Sequence, residues 1–352
     1  MKLKFFCCLM SLLSASLCSA KDDVTFNEWH DLQVNELNKL PVHTDFFSFN
    51  PNENALLFGD WSAKTKSQNF LSLDGIWKFR WVKDADKRPD NFYITDLDDS
   101  SWSNIPVPGC WEMHGFGDPE YVNVGFAWRG HFQGMPPQVP YKDNGVGSYR
   151  RKINIPDDWT GKQVIAHFGS VTSCIYLYVN GQFVGYSEDS KVACEFDITP
   201  YIKKGENLIA FQVFRWCDGS WCEDQDFWRL SGISRESYLY ARNADCCLED
   251  IRVTPDLTNG YTDGSLHIDA KVKGKASVCF SLYDAEGKMV TEKVITNIKG
   301  GNAVADMMIE KPKKWTAETP YLYTLVAKVM TAGRKPAAVS VTPVKVGFRK
   351  VE

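Results

Sequence analysis

The chain has 352 residues, 44% of them hydrophobic, enough to bury a substantial core and, at this length, about two domains. Its 44 acidic and 40 basic residues give a formal net charge of -4, with no basic tail or stripe of the kind a phosphate backbone requires, which argues against nucleic acid as a partner. Twelve tryptophans, fourteen tyrosines and twenty-one phenylalanines are a heavy aromatic load, used first in core and interface packing and next in surfaces on which a sugar stacks.

The opening residues MKLKFFCCLMSLLSASLCSA carry two lysines, an apolar run and a small residue at Ala20, the pattern of a secretory leader cleaved after Ala20. The run from Phe5 to Leu17 is short of the roughly twenty residues of a transmembrane anchor and is interrupted by serines. No later segment is apolar enough to span a bilayer. Export to the periplasm or beyond is therefore expected, and with it an oxidising compartment. Three of the eleven cysteines (Cys7, Cys8 and Cys18) fall in the leader. Among the rest, Cys217 and Cys222 bracket a short loop that they either close or leave as buried thiols, whereas the adjacent Cys246 and Cys247 cannot easily bridge each other. No Cys/His spacing resembles a zinc site.

Residues 21–71 read as an extended arm: NEWHDLQVNELNKLPVHTDFFSF is punctuated by Pro and Asn and has no clear periodicity. From Ser72 the texture changes to short alternating runs, among them LDGIWKFRWV, GSYRRKINIP, KQVIAHFGSV, CIYLYVNGQFVGYS and NLIAFQVFRW, separated by turn formers. Period-two alternation of this kind predicts an antiparallel sandwich over residues 72–242, with Asn180-Gly181 as its strongest hairpin signal. A second set, including DIRVTPDL, GSLHIDAKVKG, KASVCFSLYDAEGKMV, GNAVADMMIE and YLYTLVAKVM, predicts an immunoglobulin-like sandwich over residues 243–352. No long amphipathic helix is expected, so the fold class is all-β.

At the end of the NLIAFQVF strand lies FRWCDGSWCEDQDFWRL, which places Glu223, Asp224 and Asp226 among Trp216, Trp221 and Trp228. Loops at sandwich ends are where binding residues collect. Short acidic runs are most often simply solvated, but tryptophans are rarely left in water, and aromatics beside oxygen ligands suit a carbohydrate, with its apolar face and rim of hydroxyls. Hard oxygen ligands equally suit sodium, magnesium or calcium. Asp224 and Asp226 approach from one direction and do not flank a scissile bond, so the loop supports binding better than catalysis. The six histidines, His30, His43, His114, His131, His167 and His267, form no triad with a serine elbow, and His167 within an alternating run reads as structural. Neither GFGD nor GDW precedes a helix as a phosphate cradle would, so no nucleotide cofactor is implied.

The motifs SLDGIWKF, WSNIPVPGCWEMHGFGDPEYVNV, VNGQFVGYSEDSKVACEFDIT, RWCDGSWCEDQDFWRLSGI, KKWTAETPYLY and the closing VGFRKVE occur in the order seen in one family. Across nearly all of the mature chain the sequence resembles the N-terminal part of the large bacterial β-galactosidases of glycoside hydrolase family 2. The resemblance implies a jelly-roll sandwich related to galactose-binding domains, then an immunoglobulin-like sandwich, then a (β/α)₈ catalytic barrel that would begin near Glu352. The family's two catalytic glutamates lie in that barrel, so no catalytic residue is assigned here and the chain alone is expected to be inactive. Two family site residues do carry over: Asn123 of YVNV holds galactose, and Asp226, last of the DQD triplet, is a ligand for sodium and for a sugar hydroxyl. A Mg²⁺ site is implied at Glu28, Asp31, Glu188 and Asp218, where Asp31 replaces a usual asparagine and Glu188 a usual glutamine. Implied partners are a galactoside and the barrel, with dimers or tetramers common in the family. Two other readings remain beside this one: a freestanding carbohydrate-binding or adhesion protein, and a subunit that docks a separately encoded barrel.

Overall fold

Valine, isoleucine and aromatic residues in short runs, broken by Gly, Asn-Gly and Pro, leave the backbone little choice but strands. A computed structural model describes residues 24–352 apart from Val124, Phe126, Ala127, residues 129–131 and residues 224–225. The expected leader, His131 and Asp224 lie outside the described residues. The architecture is all-β, a jelly-roll sandwich followed by an immunoglobulin-like one, and helical structure among the described residues consists of short 3₁₀ turns. None of the described helices is long and apolar enough to cross a membrane.

Among the described residues the first unit opposes two antiparallel sheets. The larger runs in the order Glu36–Leu37, Gln182–Ser187, Cys174–Val179, Gly205–Phe214, Val146–Ile155, Gly75–Val82 and Ser103–Val107. The smaller runs Cys194–Asp197, Lys162–Phe168, Ser237–Asn243 and Phe70–Ser72. Between them lies a core that includes Trp77, Phe79, Trp111, Tyr149, Phe168, Leu177 and Phe211. Asn180 and Gly181 both have positive φ, 51° and 82°, as a two-residue hairpin with right-handed twist requires.

The Cys174–Val179 strand is buried at every position, where one-sided burial would expose alternate residues. Its odd and even residues serve different cores. Ile175, Leu177 and Val179 face the sandwich interior, and Cys174, Tyr176 and Tyr178 belong to a second cluster with Trp29, Phe92 and Phe214. The arm supplies that cover: Trp29 stacks on Phe214 with ring centroids 5.2 Å apart, and Glu36 and Leu37 add a strand beside Tyr186 and Ser187. An apolar strand flanked on both faces needs such a lid, since its outer aromatics would otherwise stand in water.

The second unit contains two long strands where shorter ones are predicted. Asp263–Tyr283 continues through Gly274 and pairs with Cys247–Thr258 along its first half and with Tyr323–Thr331 along its second. Met289–Ile309 follows it along most of its length. Gly274 has φ +76°, and a Cβ there would stand 1.9 Å from the Asp245 carbonyl oxygen, so glycine here marks a bend inside a strand, not its end. The arm also reaches this unit: Thr44 donates from N and Oγ1 to Asp250 Oδ1 at 3.0 and 2.8 Å, and Phe49 bridges to Val341.

Candidate functional site

The Gly205–Phe214 strand ends where the acidic loop begins, and several contacts fix the exit. Asn144 brackets Trp216, donating from Nδ2 to its carbonyl at 3.0 Å and accepting from its N–H at 2.9 Å. Arg215 donates to the Asp118 carbonyl at 3.1 Å and lies 3.3 Å from Glu120 Oε2. The loop then makes a 3₁₀ turn, Asp218–Trp221, and returns as the Phe227–Arg229 strand, antiparallel to Glu120–Val122.

That two-stranded ribbon brings together the two residues singled out for sugar binding. Pairing ends at Phe227 and Val122, and Asp226 and Asn123 are the next residue on each strand. Both are exposed. Tyr121 donates its phenol to Asp226 Oδ1 at 2.5 Å, and this hydrogen bond, ahead of desolvation and the carboxylate's charge, raises the phenol's pKa. Tyr121 and Trp228, each more than half exposed, stand with ring centroids 5.7 Å apart. Carboxylate, amide and two accessible rings thus share one ledge. The other tryptophans do different work. Trp216 is buried, Trp128 packs against both Trp216 and Trp221, and Trp221 donates Nε1 to the Gln138 carbonyl at 2.9 Å. Behind the ledge is a cavity of about 280 Å³ whose walls include Trp128, Trp216, Phe227, Arg215 and Thr172. Arg215 Nε and Thr172 Oγ1 are buried there with no hydrogen-bond partner among the described residues.

Two of the four residues expected around Mg²⁺ fall in one group of potential ligands among the described residues. Glu188 and Asp218 meet, and the third donor beside them is Cys217: one ligand atom from each lies within 4.8 Å of the others, and all three residues are buried. Glu28 is also buried, but its carboxylate is already engaged, accepting from Thr25 N at 2.6 Å, Thr25 Oγ1 at 2.9 Å and Tyr176 Oη at 3.0 Å. Asp31 is exposed, accepts from Gln33 N at 3.0 Å, and its negative charge helps raise the Asp218 pKa.

The electrostatics of this cluster follow from crowding acids without water. Burial first, then the neighbouring Cys217 and Asp218, pushes the Glu188 carboxyl up to about 10, although Tyr186 donates to its Oε1 at 2.6 Å. Burial likewise raises Asp218, although a side-chain hydrogen bond with Glu188 and one with the Gly219 backbone oppose it. Gly219 keeps the space open, since a Cβ there would stand 2.6 Å from Glu188 Oε2 and 3.5 Å from Cys217 Sγ. Two buried acids pressed together share a proton, with Glu188 neutral and bonded to Asp218. The carboxylates suit a hard ion such as Mg²⁺, whereas the sulfur does not. Sequence reading weighed Cys217 as a partner of Cys222 or as a buried free thiol, and did not place it beside Glu188. Both cysteines are free, Cys217 buried and Cys222 exposed.

A second cluster was invisible in the sequence. Glu195 Oε2 lies 3.0 Å from His43 Nε2 and accepts from Tyr240 at 2.8 Å, while Oε1 lies 2.8 Å from His167 Nδ1. His167 also stacks on Tyr238 at 4.4 Å, the structural role expected of it. These partners lie up to about two hundred residues apart, so no local motif announces them.

A two-sheet sandwich joined to an immunoglobulin-like unit defines a pair of β-sandwich modules of the glycoside hydrolase type. The chain belongs to glycosyl hydrolases family 2: residues 70–243 match the family's sugar binding domain, and residues 246–349 match the domain that bears the family's name. A β-galactosidase of Halalkalibacterium halodurans is 38% identical over 327 residues, covering 92% of this chain and 31% of that protein. One from Streptococcus thermophilus is 37% identical over 326 residues, with 92% and 31% covered. The β-galactosidase large subunit of Leuconostoc lactis is 32% identical over 335 residues, covering 92% of this chain and 52% of the subunit. The chain thus corresponds to an N-terminal part of longer relatives and spans about a third of the first two. Among solved structures, a Bifidobacterium dentium β-glucuronidase superimposes with a TM-score of 0.64 at 21% identity, covering 80% of this chain and 49% of that one, a likeness of fold.

Proposed function

We propose that these two units form the sugar-positioning wall of a β-galactosidase that hydrolyses terminal β-D-galactosides, with Asn123 and Asp226 holding the galactose ring. The observation that carries this reading is their juxtaposition at the end of one ribbon, exposed and flanked by Tyr121 and Trp228. In a retaining hydrolysis one carboxylate attacks the anomeric carbon, a second protonates the leaving oxygen, and water releases the sugar. Those carboxylates are assigned to a barrel packed against the ledge. What this chain's residues do is bind and orient. Asp226 accepts from a ring hydroxyl, and an interaction that strengthens as the ring flattens lowers the barrier without touching the reacting bond. Asp226 would offer a hard carboxylate donor to Na⁺, and bound sodium would supply a fixed positive charge for sugar hydroxyls. Export through the leader would place this activity outside the cytoplasm.

Two measurements test the proposal. The chain alone, incubated at high concentration with a chromogenic β-galactoside, is expected to show no turnover above a matched blank. Grafted in place of the matching region of the Halalkalibacterium relative, it is expected to support turnover, with Asp226→Asn lowering kcat/KM by about 10²-fold, the usual loss for one preorganised polar contact. An Asp226→Asn graft as active as its parent overturns the assignment. A docking role toward a separate polypeptide is favoured by one observation, the similarity to a relative described as a large subunit.

A further inference from the structure

Beside the end of the Lys162–Phe168 strand, the arm and two loops enclose a groove of about 460 Å³, and Trp61 stands in it. The indole opens the 3₁₀ turn Trp61–Lys66, which Asp60 caps by accepting from Ser62 N at 3.0 Å. It is 48% exposed, yet it is firmly held. Nε1 donates to Glu236 Oε1 at 3.0 Å, and the buried Lys64 ammonium, itself paired with Glu236, lies 3.9 Å from the ring centroid. A ring fixed at one edge and covered on one face has its other face left to offer a ligand.

Three polar groups border the same groove with bonding capacity to spare among the described residues. Asp45 is exposed, and its carboxylate takes neither a hydrogen bond nor a salt bridge. His167 gives Nδ1 to Glu195, which leaves Nε2 on the side of Gly169, 3.8 Å from where a Cβ would stand. Arg235 donates from Nη1 to the Lys191 and Gly169 carbonyls at 2.7 and 3.4 Å, which leaves its Nη2 edge. Gly169 sets this wall, since a Cβ there would stand 2.9 Å from the Glu236 carbonyl oxygen and 3.0 Å from Arg235 Cβ.

We propose that this groove is a second carbohydrate site, taking one neutral pyranose unit of a di- or oligosaccharide on the face of Trp61. The C–H face of a pyranose stacks on an indole, and its hydroxyls both donate to a carboxylate such as Asp45 and accept from a guanidinium such as Arg235. The presence of both signs of charge turns away a ligand that carries only one. The volume is within the range of small-molecule clefts. None of the groove's residues belongs to the ledge of Asn123 and Asp226, so the site does not depend on which sugar that ledge binds. Lys191 borders both this groove and the cavity behind the ledge, so the two lie side by side.

The test titrates the full chain with lactose, cellobiose and maltose, and with glucuronic acid as the anionic control, read by calorimetry and by saturation-transfer NMR. At least one neutral disaccharide is expected to bind, and glucuronic acid is not. Trp61→Ala is expected to weaken that binding by about 30-fold, the loss for a tryptophan at the centre of a contact, while keeping the wild-type circular dichroism spectrum. Asp45→Ala, at an exposed and unpaired carboxylate, is expected to weaken it by about tenfold with an unchanged unfolding transition. Failure of all three disaccharides to bind, preference for glucuronic acid, or wild-type affinity in either variant would each overturn the proposal. Binding that survives Trp61→Ala and disappears in Asp226→Asn would place the sugar on the ledge and overturn it too. If Trp61→Ala misfolds, Asp45→Ala decides alone, and unchanged affinity there refutes the site.

Discussion

Glu195→Gln is the substitution that tests most sharply how the arm is held. The buried carboxylate carries His43 from the arm, His167 from the Lys162–Phe168 strand and Tyr240 from Ser237–Asn243, at 3.0, 2.8 and 2.8 Å. Burial alone would push the Glu195 carboxyl up, but hydrogen bonds from His167 and His43 outweigh it and hold it well below the ordinary carboxylate value. For His43, burial pulls the pKa down, yet the Glu195 hydrogen bond and charge, the Thr44 carbonyl and Asp250 raise it above 6.5 overall. Arg242, Glu249 and Lys271 border the same cavity. The signs then follow from linkage. Glu195 contributes above the ordinary carboxylate range and loses its contribution only in strong acid. His43 contributes fully below about pH 6.5 and loses its contribution as pH rises through its raised value. Replacing the carboxylate by an amide breaks a buried pair, which costs about 3–5 kcal/mol, and removes the His43 share of the pH dependence. His43→Gln, acting at a partly exposed ring, is expected to cost only about 1 kcal/mol near pH 6, and less at higher pH. Urea unfolding in chelator, compared near pH 6 and pH 8.5, measures both effects. A Glu195→Gln protein within about 0.5 kcal/mol of wild type, or one with an unchanged pH dependence, refutes the clasp.

Trp29→Ala removes a fully buried indole that stacks on Phe214 and meets Tyr141 edge-on at 4.8 Å, so a loss of about 3–5 kcal/mol is expected in the same unfolding assay. A loss below about 1 kcal/mol would mean that the arm merely lies against the sheet. Glu188, protonated in the metal-free fold up to about pH 10, gives a contribution that is complete below about 4.5, declines as pH rises across that interval and is gone beyond it. Glu188→Gln is therefore expected to make metal-free protein more stable than wild type near pH 8.5, by a margin that grows with pH. An equal or smaller stability at that pH counts against a buried neutral acid.

Much of the fold was legible because its determinants are local. Asn180-Gly181 dictates a hairpin by backbone conformation alone, and the alternating runs become strands wherever turn formers free their ends. Gly274 defeated that logic: glycine signals a strand end and a strand bend equally, and only the close approach of the Asp245 carbonyl decides between them. The continuous apolar run CIYLYV marked a strand but not what covers its outer face, which depends on Trp29, about 150 residues earlier in the chain. At the site, Asn123 and Asp226 were named through family motifs, and the ribbon register supplies their adjacency. Composition suggested three loop tryptophans for a sugar, yet Trp216 is buried and Trp221 packs with it against Trp128, leaving Trp228 on the ledge. Exposure is a tertiary property, and so is the meeting of Cys217 with Glu188, twenty-nine residues before it in the chain.

The most direct measurement is a double-mutant cycle on Asn123→Ala and Asp226→Asn in the grafted β-galactosidase, read as kcat/KM for a chromogenic galactoside. If both residues grip one ring, each change lowers kcat/KM and the double variant falls short of the product of the single losses, since the second change acts on a sugar already loosened. Wild-type kcat/KM in either single variant, or losses that simply multiply, would contradict a shared galactose-binding wall.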